Sequence, residues 1–126
     1  MVFGIPLKIT KIEIRPGVIV LEMTGQIYMG PDCQRIQQEV EQLLGRGEKR
    51  IIFDLERVSY VDSSGVGTIV KCISTLKKSG GSLRLAGVNG MIASVLKMTQ
   101  VDKIIEIYPT AAEAAGNFLL AGEAEG

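Results

Sequence analysis

The sequence predicts an α/β fold in which the elements follow the order ββαβαβαβα. Short apolar runs with strand character alternate with segments whose apolar residues recur at helical spacing. This alternation implies a largely parallel sheet, and two successive strand segments at the start add an antiparallel contribution. Each helical segment carries a single apolar stripe, which indicates that one face of each helix is buried. We therefore expect a mixed sheet of four or five strands, with helices packed mainly on one face.

The first third of the chain predicts two strands and a helix. Apolar and polar residues alternate over residues 8–14, a turn signal follows at residues 15–17, and a second strand begins at Val18 and ends near Gly25. Pro31 suits the first position of a helix, because its missing N–H would have no partner there. The apolar stripe of this helix consists of Cys33, Ile36, Val40, Leu43 and Leu44.

A strand and a helix form the predicted centre of the fold. The continuous apolar run at residues 51–55 predicts a strand buried on both faces. The helix that follows ends at Lys77 and Lys78, whose charges suit the negative end of the helix dipole. The residues of this pair that we expect to be mostly buried are Ile51, Phe53, Leu55, Val66, Ile69, Val70, Ile73 and Leu76.

The last third predicts two short strands and two short helices. Residues 82–86 form the first of these strands, residues 91–96 a short helix and residues 104–107 the last strand. Thr110 and Glu113 match a capping box at the start of a small final helix. That helix is expected to carry Ala114, Phe118 and Leu119.

Composition restricts the classes of function. In 126 residues, 14 Lys and Arg balance 14 Asp and Glu, so the chain lacks the basic excess typical of nucleic-acid binding. It contains no His, which is the usual general base and the commonest metal ligand. The two cysteines, Cys33 and Cys72, show no metal-type spacing. We expect no catalysis, no metal and no cofactor, and both cysteines as reduced core residues in a cytoplasmic protein.

The length suits one domain, which we expect to occupy residues 5–120, with residues 121–126 as a disordered tail. The longest stretch without a charged residue, at residues 85–96, is too short to span a bilayer. We therefore expect no membrane partner.

The junction between the third strand and the second helix (residues 61–67) carries the most distinctive chemistry. It holds an acid, two hydroxyls and two glycines. Asp62 is first a good N-cap, which is a purely structural role. A phosphate-binding loop is disfavoured, because Val70 stands where a dinucleotide fingerprint needs its third glycine. A serine nucleophile lacks a histidine base. The fourth interpretation is a serine that a separate kinase phosphorylates.

Residues 51–67 resemble the signature of the STAS-domain family, and in particular that of bacterial anti-sigma factor antagonists. The specific part is the run Asp62-Ser63-Ser64-Gly65 after an apolar strand. The likeness extends over nearly the whole chain, and it includes residues 77–81, 96–99 and 101–105. The resemblance implies a STAS-like single domain.

The resemblance also implies a non-enzymatic regulator. Family members bind an anti-sigma factor that is also a serine kinase, and this binding frees a sigma factor until phosphorylation ends it. The phosphoacceptor position corresponds here to Ser63. We expect the partner to contact Asp62, Ser63, Ser64, Gly65 and Gly67, and we expect the protein to be a monomer or a weak dimer.

One position departs from the family pattern. Many relatives carry an acidic residue shortly after the glycine that ends the second strand, and Tyr28 stands there in this chain. An exposed aromatic residue at a strand end is structurally common, but tyrosine also suits an interface, so Tyr28 is interpreted as a further partner contact. The alternative function is a STAS scaffold or ligand-sensing module in which Ser63 is never modified.

Overall fold

The computed structural model describes residues 5–120 and residue 123, and its elements follow the predicted order ββαβαβαβα. A short 3-10 helix, Val101–Lys103, precedes the last strand. The strands are β1 (Lys8–Arg15), β2 (Val18–Ile27), β3 (Arg50–Val61), β4 (Ser82–Ala86) and β5 (Glu106–Tyr108). The helices are α1 (Pro31–Gly45), α2 (Ser63–Lys78), α3 (Gly90–Met98) and α4 (Ala111–Ala115).

The strands form one mixed five-stranded sheet in the order β1-β2-β3-β4-β5. β1 and β2 are antiparallel, and the other three pairings are parallel. Both features confirm the predicted sheet. The apolar run at residues 51–55 is buried throughout, as expected for a central strand covered on both faces. The ends of β2 and β3 lie side by side, because Ile27 is paired with Val61.

Helices α1, α2 and α3 cover one face of the sheet and enclose the main core, as predicted. Buried side chains from these helices meet the inward-facing residues of β2, β3 and β4. Both cysteines are buried in this core, which confirms the expectation that they act as core residues. The predicted members that are buried are Ile51, Phe53, Leu55, Val66, Ile69 and Leu76.

A smaller core on the opposite face lies under α4. The guanidinium of Arg84 lies 4.1 Å from the centre of the Phe118 ring and 5.1 Å from that of Tyr108, distances at which cation–π attraction operates. The same group donates to the carbonyl oxygen of Ala114 at 2.8 Å. Thr110 accepts a hydrogen bond from the Glu113 amide, which confirms the predicted cap of α4.

Two expectations about the core are corrected. Val70 is 37% exposed, and Ile73 is only partly buried. The buried face of α2 includes Gly65, Thr68 and Cys72, so its centre is displaced from the apolar stripe read from the sequence. Because these small residues face the sheet, the buried face of α2 is turned away from Val70, which lies at its edge.

Element ends also differ from the prediction. Ile104 and Ile105 do not belong to β5, because the 3-10 helix and the turn after it occupy this part of the chain. α4 ends at Ala115, so Phe118 and Leu119 follow the helix as irregular chain. Phe118 nevertheless packs in the smaller core. The predicted tail at residues 121–126 lies outside the described residues, except for residue 123.

Candidate functional site

The candidate site lies at the carboxyl ends of β2 and β3, where the chain enters α2. The backbone amide of Asp62 donates to the carbonyl oxygen of Ile27 at 3.1 Å, which continues the β2–β3 pairing by one further bond. Asp62 itself has extended backbone, and α2 begins at the next residue. The end of a parallel strand followed by a helix N-terminus is where α/β proteins commonly place functional groups.

The carboxylate of Asp62 fastens this junction to two separate backbone segments. One oxygen, Oδ1, accepts from the Gly65 amide at 2.7 Å, which caps the first turn of α2. The other, Oδ2, accepts from the Met29 amide at 2.9 Å, in the loop between β2 and α1. The structural interpretation of Asp62 as an N-cap is therefore correct, and the residue also positions the neighbouring loop.

Ser63 is the first residue of α2, and it is exposed. Ser64 is half-buried, and its carbonyl oxygen accepts from the Thr68 hydroxyl at 3.0 Å inside the helix. Of the two adjacent serines, Ser63 is thus the one more open to solvent.

The two glycines of the junction have different surroundings. Gly65 is buried, and a Cβ placed on it would lie 2.6 Å from Cγ1 of Val61 and 2.9 Å from Cγ2 of Ile27. Gly67 is exposed, and outside its neighbours and its own helix backbone no atom lies within 4 Å of such a Cβ. Gly65 therefore permits α2 to approach β2 and β3 closely, and Gly67 leaves the outer surface of the helix bare.

Tyr28 lies beside this junction in the β2–α1 loop, where its side chain is 40% exposed. Its hydroxyl donates to Gln26 Oε1 at 2.7 Å, and its ring centre is 5.4 Å from that of Tyr60 on β3. Met29, the next residue, is 74% exposed. A cavity of about 720 Å³ opens next to these residues and is lined also by Ile5 and Pro31.

The sequence did not single out Met29 and Tyr60 as site residues. The sequence carried a signal for Tyr60. It stands two residues before Asp62, and because strand side chains alternate between two faces, both side chains are expected on the same face. Met29 could be recognised only from its long-range hydrogen bond to Asp62. Tyr28 and Tyr60 are in ring contact, and Met29 follows Tyr28 in the loop that Asp62 fastens. We call these three exposed residues the aromatic patch.

Cys33 supports the loop from beneath. Its thiol donates to the carbonyl oxygen of Tyr28 at 3.2 Å, and burial raises the pKa of this thiol above its ordinary value. The thiol therefore stays protonated at neutral pH, as a hydrogen-bond donor requires. Cys33 belongs to the framework of the site and is not an exposed nucleophile.

The chemistry available at this junction is that of a presented hydroxyl group. Both carboxylate oxygens of Asp62 already accept from backbone amides, so its role is to hold the backbone near Ser63. Within residues 5–120 and residue 123, no group of three or more His, Cys, Asp or Glu residues could hold a metal ion. In the same part of the chain, no helix has both the length and the apolar character required to cross a membrane.

Comparison with known proteins adds a family match over most of the chain. The family model of the STAS domain matches residues 10–114, a range that contains Tyr28 and the whole junction at residues 61–67. The crystal structure of a Thermotoga maritima protein provisionally assigned as an anti-sigma factor antagonist superposes with a TM-score of 0.77 at 25% identity. That superposition covers 89% of this chain and 93% of the other.

Two relatives of known sequence carry related names. A Thermotoga maritima protein, provisionally assigned as an anti-sigma factor antagonist, is 34% identical over 74 residues, which is 59% of this chain and 66% of that protein. The match thus spans slightly less than two thirds of that relative. The anti-sigma F factor antagonist of Paenibacillus polymyxa is 27% identical over 99 residues, which is 78% of this chain and 84% of the relative.

Proposed function

Because the chain belongs to the STAS domain family, we propose that it is an anti-sigma factor antagonist that works by partner switching. In its unmodified form it binds an anti-sigma factor that is also a serine kinase, and this binding releases a sigma factor. Phosphorylation of Ser63 ends the binding. The chain itself is not an enzyme and acts in the cytoplasm, and the kinase supplies ATP, Mg²⁺ and the catalytic groups.

The observation that carries this proposal is the placement of Ser63. It is exposed at the first position of α2, next to a carboxylate that fastens both α2 and the β2–α1 loop. A kinase must close around the acceptor hydroxyl, and a fixed, open hydroxyl lowers the cost of ordering the substrate. Ser64, half-buried and one residue further into the helix, is less accessible.

Added charge provides the mechanism of the off state. A phosphate brings about −1.5 to −2 charges at neutral pH, and at Ser63 it would stand beside the Asp62 carboxylate. A partner surface that closes over this position then meets concentrated negative charge, whose desolvation opposes binding. The positive end of the α2 dipole favours the same phosphate by about 0.3–1 kcal/mol, so the modified fold itself remains intact.

The surroundings of Ser63 suit a protein partner. The aromatic patch belongs to the loop and strand end that Asp62 joins to α2, and tyrosine and methionine are enriched in protein interfaces. Gly67 stands one helical turn after Ser63, where the bare helix surface allows close approach. In this proposal Ser63, Gly67 and Tyr28 contact the partner directly, while Asp62, Ser64 and Gly65 maintain the shape of the surface.

The test uses the anti-sigma factor kinase of the same organism with ATP, followed by mass spectrometry of the antagonist. We expect a single phosphate on the wild-type chain and on Ser64→Ala, and none on Ser63→Ala. Ser63→Ala should still bind the kinase, whereas Ser63→Glu should bind more weakly. Ser64→Ala is the matched control, since it alters the neighbouring hydroxyl in the same turn.

Two outcomes would contradict this proposal in different ways. If phosphate is still found on Ser63→Ala and is absent from Ser64→Ala, the acceptor is Ser64 and not Ser63. No label on either serine, together with unimpaired binding by Ser63→Glu, would favour an unswitched scaffold or ligand-sensing module.

A further inference from the structure

Strand β1 forms one edge of the sheet, and its outer side faces no other strand of the described chain. With eight residues it is long for an edge, since exposed edges are usually kept short. The opposite edge, β5, has only three residues. Most of β1 is exposed, including Ile12 at 39% and Ile14 at 37%. An exposed edge that carries apolar side chains is a template for pairing with another strand.

The two faces of β1 differ in chemistry. Lys11 and Glu13 are paired with Leu21 and Ile19, two residues of the main core, so both lie on the α1 face. Ile12 is paired with Val20, a residue of the smaller core, so it lies on the opposite face. One face of β1 therefore presents a cation and an anion two residues apart, and the other presents the apolar side chain of Ile12.

We propose that two copies of this protein associate through antiparallel pairing of their β1 strands, with the two-fold axis at Ile12. The two five-stranded sheets would then join into one continuous sheet. Such an interface is isologous, because the same strand is used on both sides. The proposal concerns self-association, and its test does not depend on Ser63 or on any sigma-factor partner.

Charge complementarity selects this register. With the axis at Ile12, Lys11 of each copy faces Glu13 of the other, which forms two opposite-charge cross-strand pairs. With the axis at Lys11, the two lysines face each other. With the axis at Glu13, the two glutamates face each other. Directly opposed like charges destabilise strand pairing, so both neighbouring two-fold registers are disfavoured.

Apolar contacts favour the same register. With the axis at Ile12, the two Ile12 side chains meet at the centre of the pair. The exposed surface of Ile12 thereby becomes partly covered in both copies. A single pair of edge strands is small compared with a standard interface, so we expect a reversible dimer that forms with increasing concentration.

The experiment is sedimentation velocity of the full chain from micromolar to millimolar concentration. Wild-type protein should show a concentration-dependent shift from monomer to dimer. Lys11→Glu and Glu13→Lys should each weaken self-association by roughly tenfold or more, because both opposite-charge pairs become like-charge pairs. An equimolar mixture of these two variants should restore dimerisation, since each Glu of one variant then faces a Lys of the other.

Three controls keep the result interpretable. Circular dichroism and thermal melting check that each variant is folded. Glu39→Gln removes the Lys11–Glu39 ion pair of 3.4 Å within one copy, which competes for the Lys11 ammonium, so this variant should dimerise at least as well as the wild type. In this register Lys8 would face Pro16 of the other copy, which lies beyond the end of β1, so Lys8→Glu should have no effect.

Three outcomes would overturn the proposal. One is a wild-type chain that remains monomeric at the highest concentration. Another is a dimer that both charge reversals leave intact. The third is a pair of variants that fail to associate when they are mixed, because this would exclude the register centred on Ile12.

Discussion

Replacing Gly65 with alanine tests whether α2 is packed against the sheet as closely as the structure indicates. The added methyl group would lie 2.6 Å from Cγ1 of Val61, 2.9 Å from Cγ2 of Ile27 and 3.2 Å from the carbonyl oxygen of Ile27. None of these atoms is the far end of a flexible side chain, because all belong to branched residues close to the backbone of paired strands. Relief therefore requires α2 to move outward.

The magnitude follows from two opposing effects. Alanine in place of glycine stabilises a helix by about 0.5–1 kcal/mol, because it restricts the unfolded chain. Overpacking of a well-filled core costs about 1–3 kcal/mol. For Gly65→Ala the steric cost dominates, and we expect the free energy of unfolding to fall by roughly 1–2 kcal/mol.

Gly67→Ala is the matched control. It lies in the same helix, but a Cβ there meets no atom beyond its neighbours and its own helix backbone within 4 Å, so only the favourable helix effect remains. We expect Gly67→Ala to raise the free energy of unfolding by about 0.5–1 kcal/mol. Urea denaturation followed by circular dichroism measures both values. A Gly65→Ala protein as stable as Gly67→Ala would show that the helix is not tightly apposed to β2 and β3.

Three further predictions concern stability. Asp62→Ala should lower the free energy of unfolding by about 2 kcal/mol, because both acceptor oxygens are lost. Asp62→Asn should lower it by about half as much, because asparagine keeps one acceptor oxygen. Equal losses of the two variants in urea denaturation would contradict this. Burial raises the pKa of Cys72 to about 12, from an ordinary value of 9.0. The folded state then retains a proton that the unfolded state loses, so stability should fall as pH rises from about 9 towards 12. In urea denaturation at increasing pH, Cys72→Ala should lose less stability between about pH 9 and 12 than the wild type. If both proteins lose stability equally with pH, the raised pKa of Cys72 is refuted. Ile69→Ala should cost about 2–5 kcal/mol, whereas Val70→Ala should change stability by less than about 0.5 kcal/mol, and thermal melts that rank the two variants in reverse would contradict the burial pattern of α2.

Local sequence signals predicted those elements whose ends are fixed by neighbouring residues. α2 begins at Ser63 because Asp62 can cap it, and its last turn contains Lys77 and Lys78 as expected. The first strand pair follows from the turn after Arg15, and β4 has the predicted bounds. In each of these cases the information lies within a few residues of the feature.

Local sequence signals failed where contacts between distant parts of the chain determine an element's ends or its burial. β3 continues to Val61, beyond the predicted apolar run, because its later residues pair with β2 across register shifts that no local pattern announces. Isoleucine is typical of strands, so the sequence predicts Ile104 in the last strand. In the structure it follows the 3-10 helix outside β5 and is 57% exposed. Val70 continues the apolar stripe of α2, but small residues on the other side of the helix face the sheet instead.

The candidate site shows the same division. Ser63 and its place at a helix start follow from residues 61–67 alone, since cap, hydroxyl and glycine are adjacent in sequence. The contact of Tyr28 with Tyr60 and the bond from Met29 to Asp62 join segments more than thirty residues apart. Their proximity follows only from the parallel pairing of β2 with β3.

This arrangement bears on how the proposed switch would work. The Asp62 carboxylate already bonds to the Gly65 and Met29 amides, so the backbone around Ser63 is held in place before any modification. In the proposed switch, a phosphate on Ser63 would project outward from this fixed frame, and the helix dipole would stabilise it there. No segment needs to refold for the partner surface to change. We therefore expect the switch to act through charge at the interface, with the fold around it unchanged in both states.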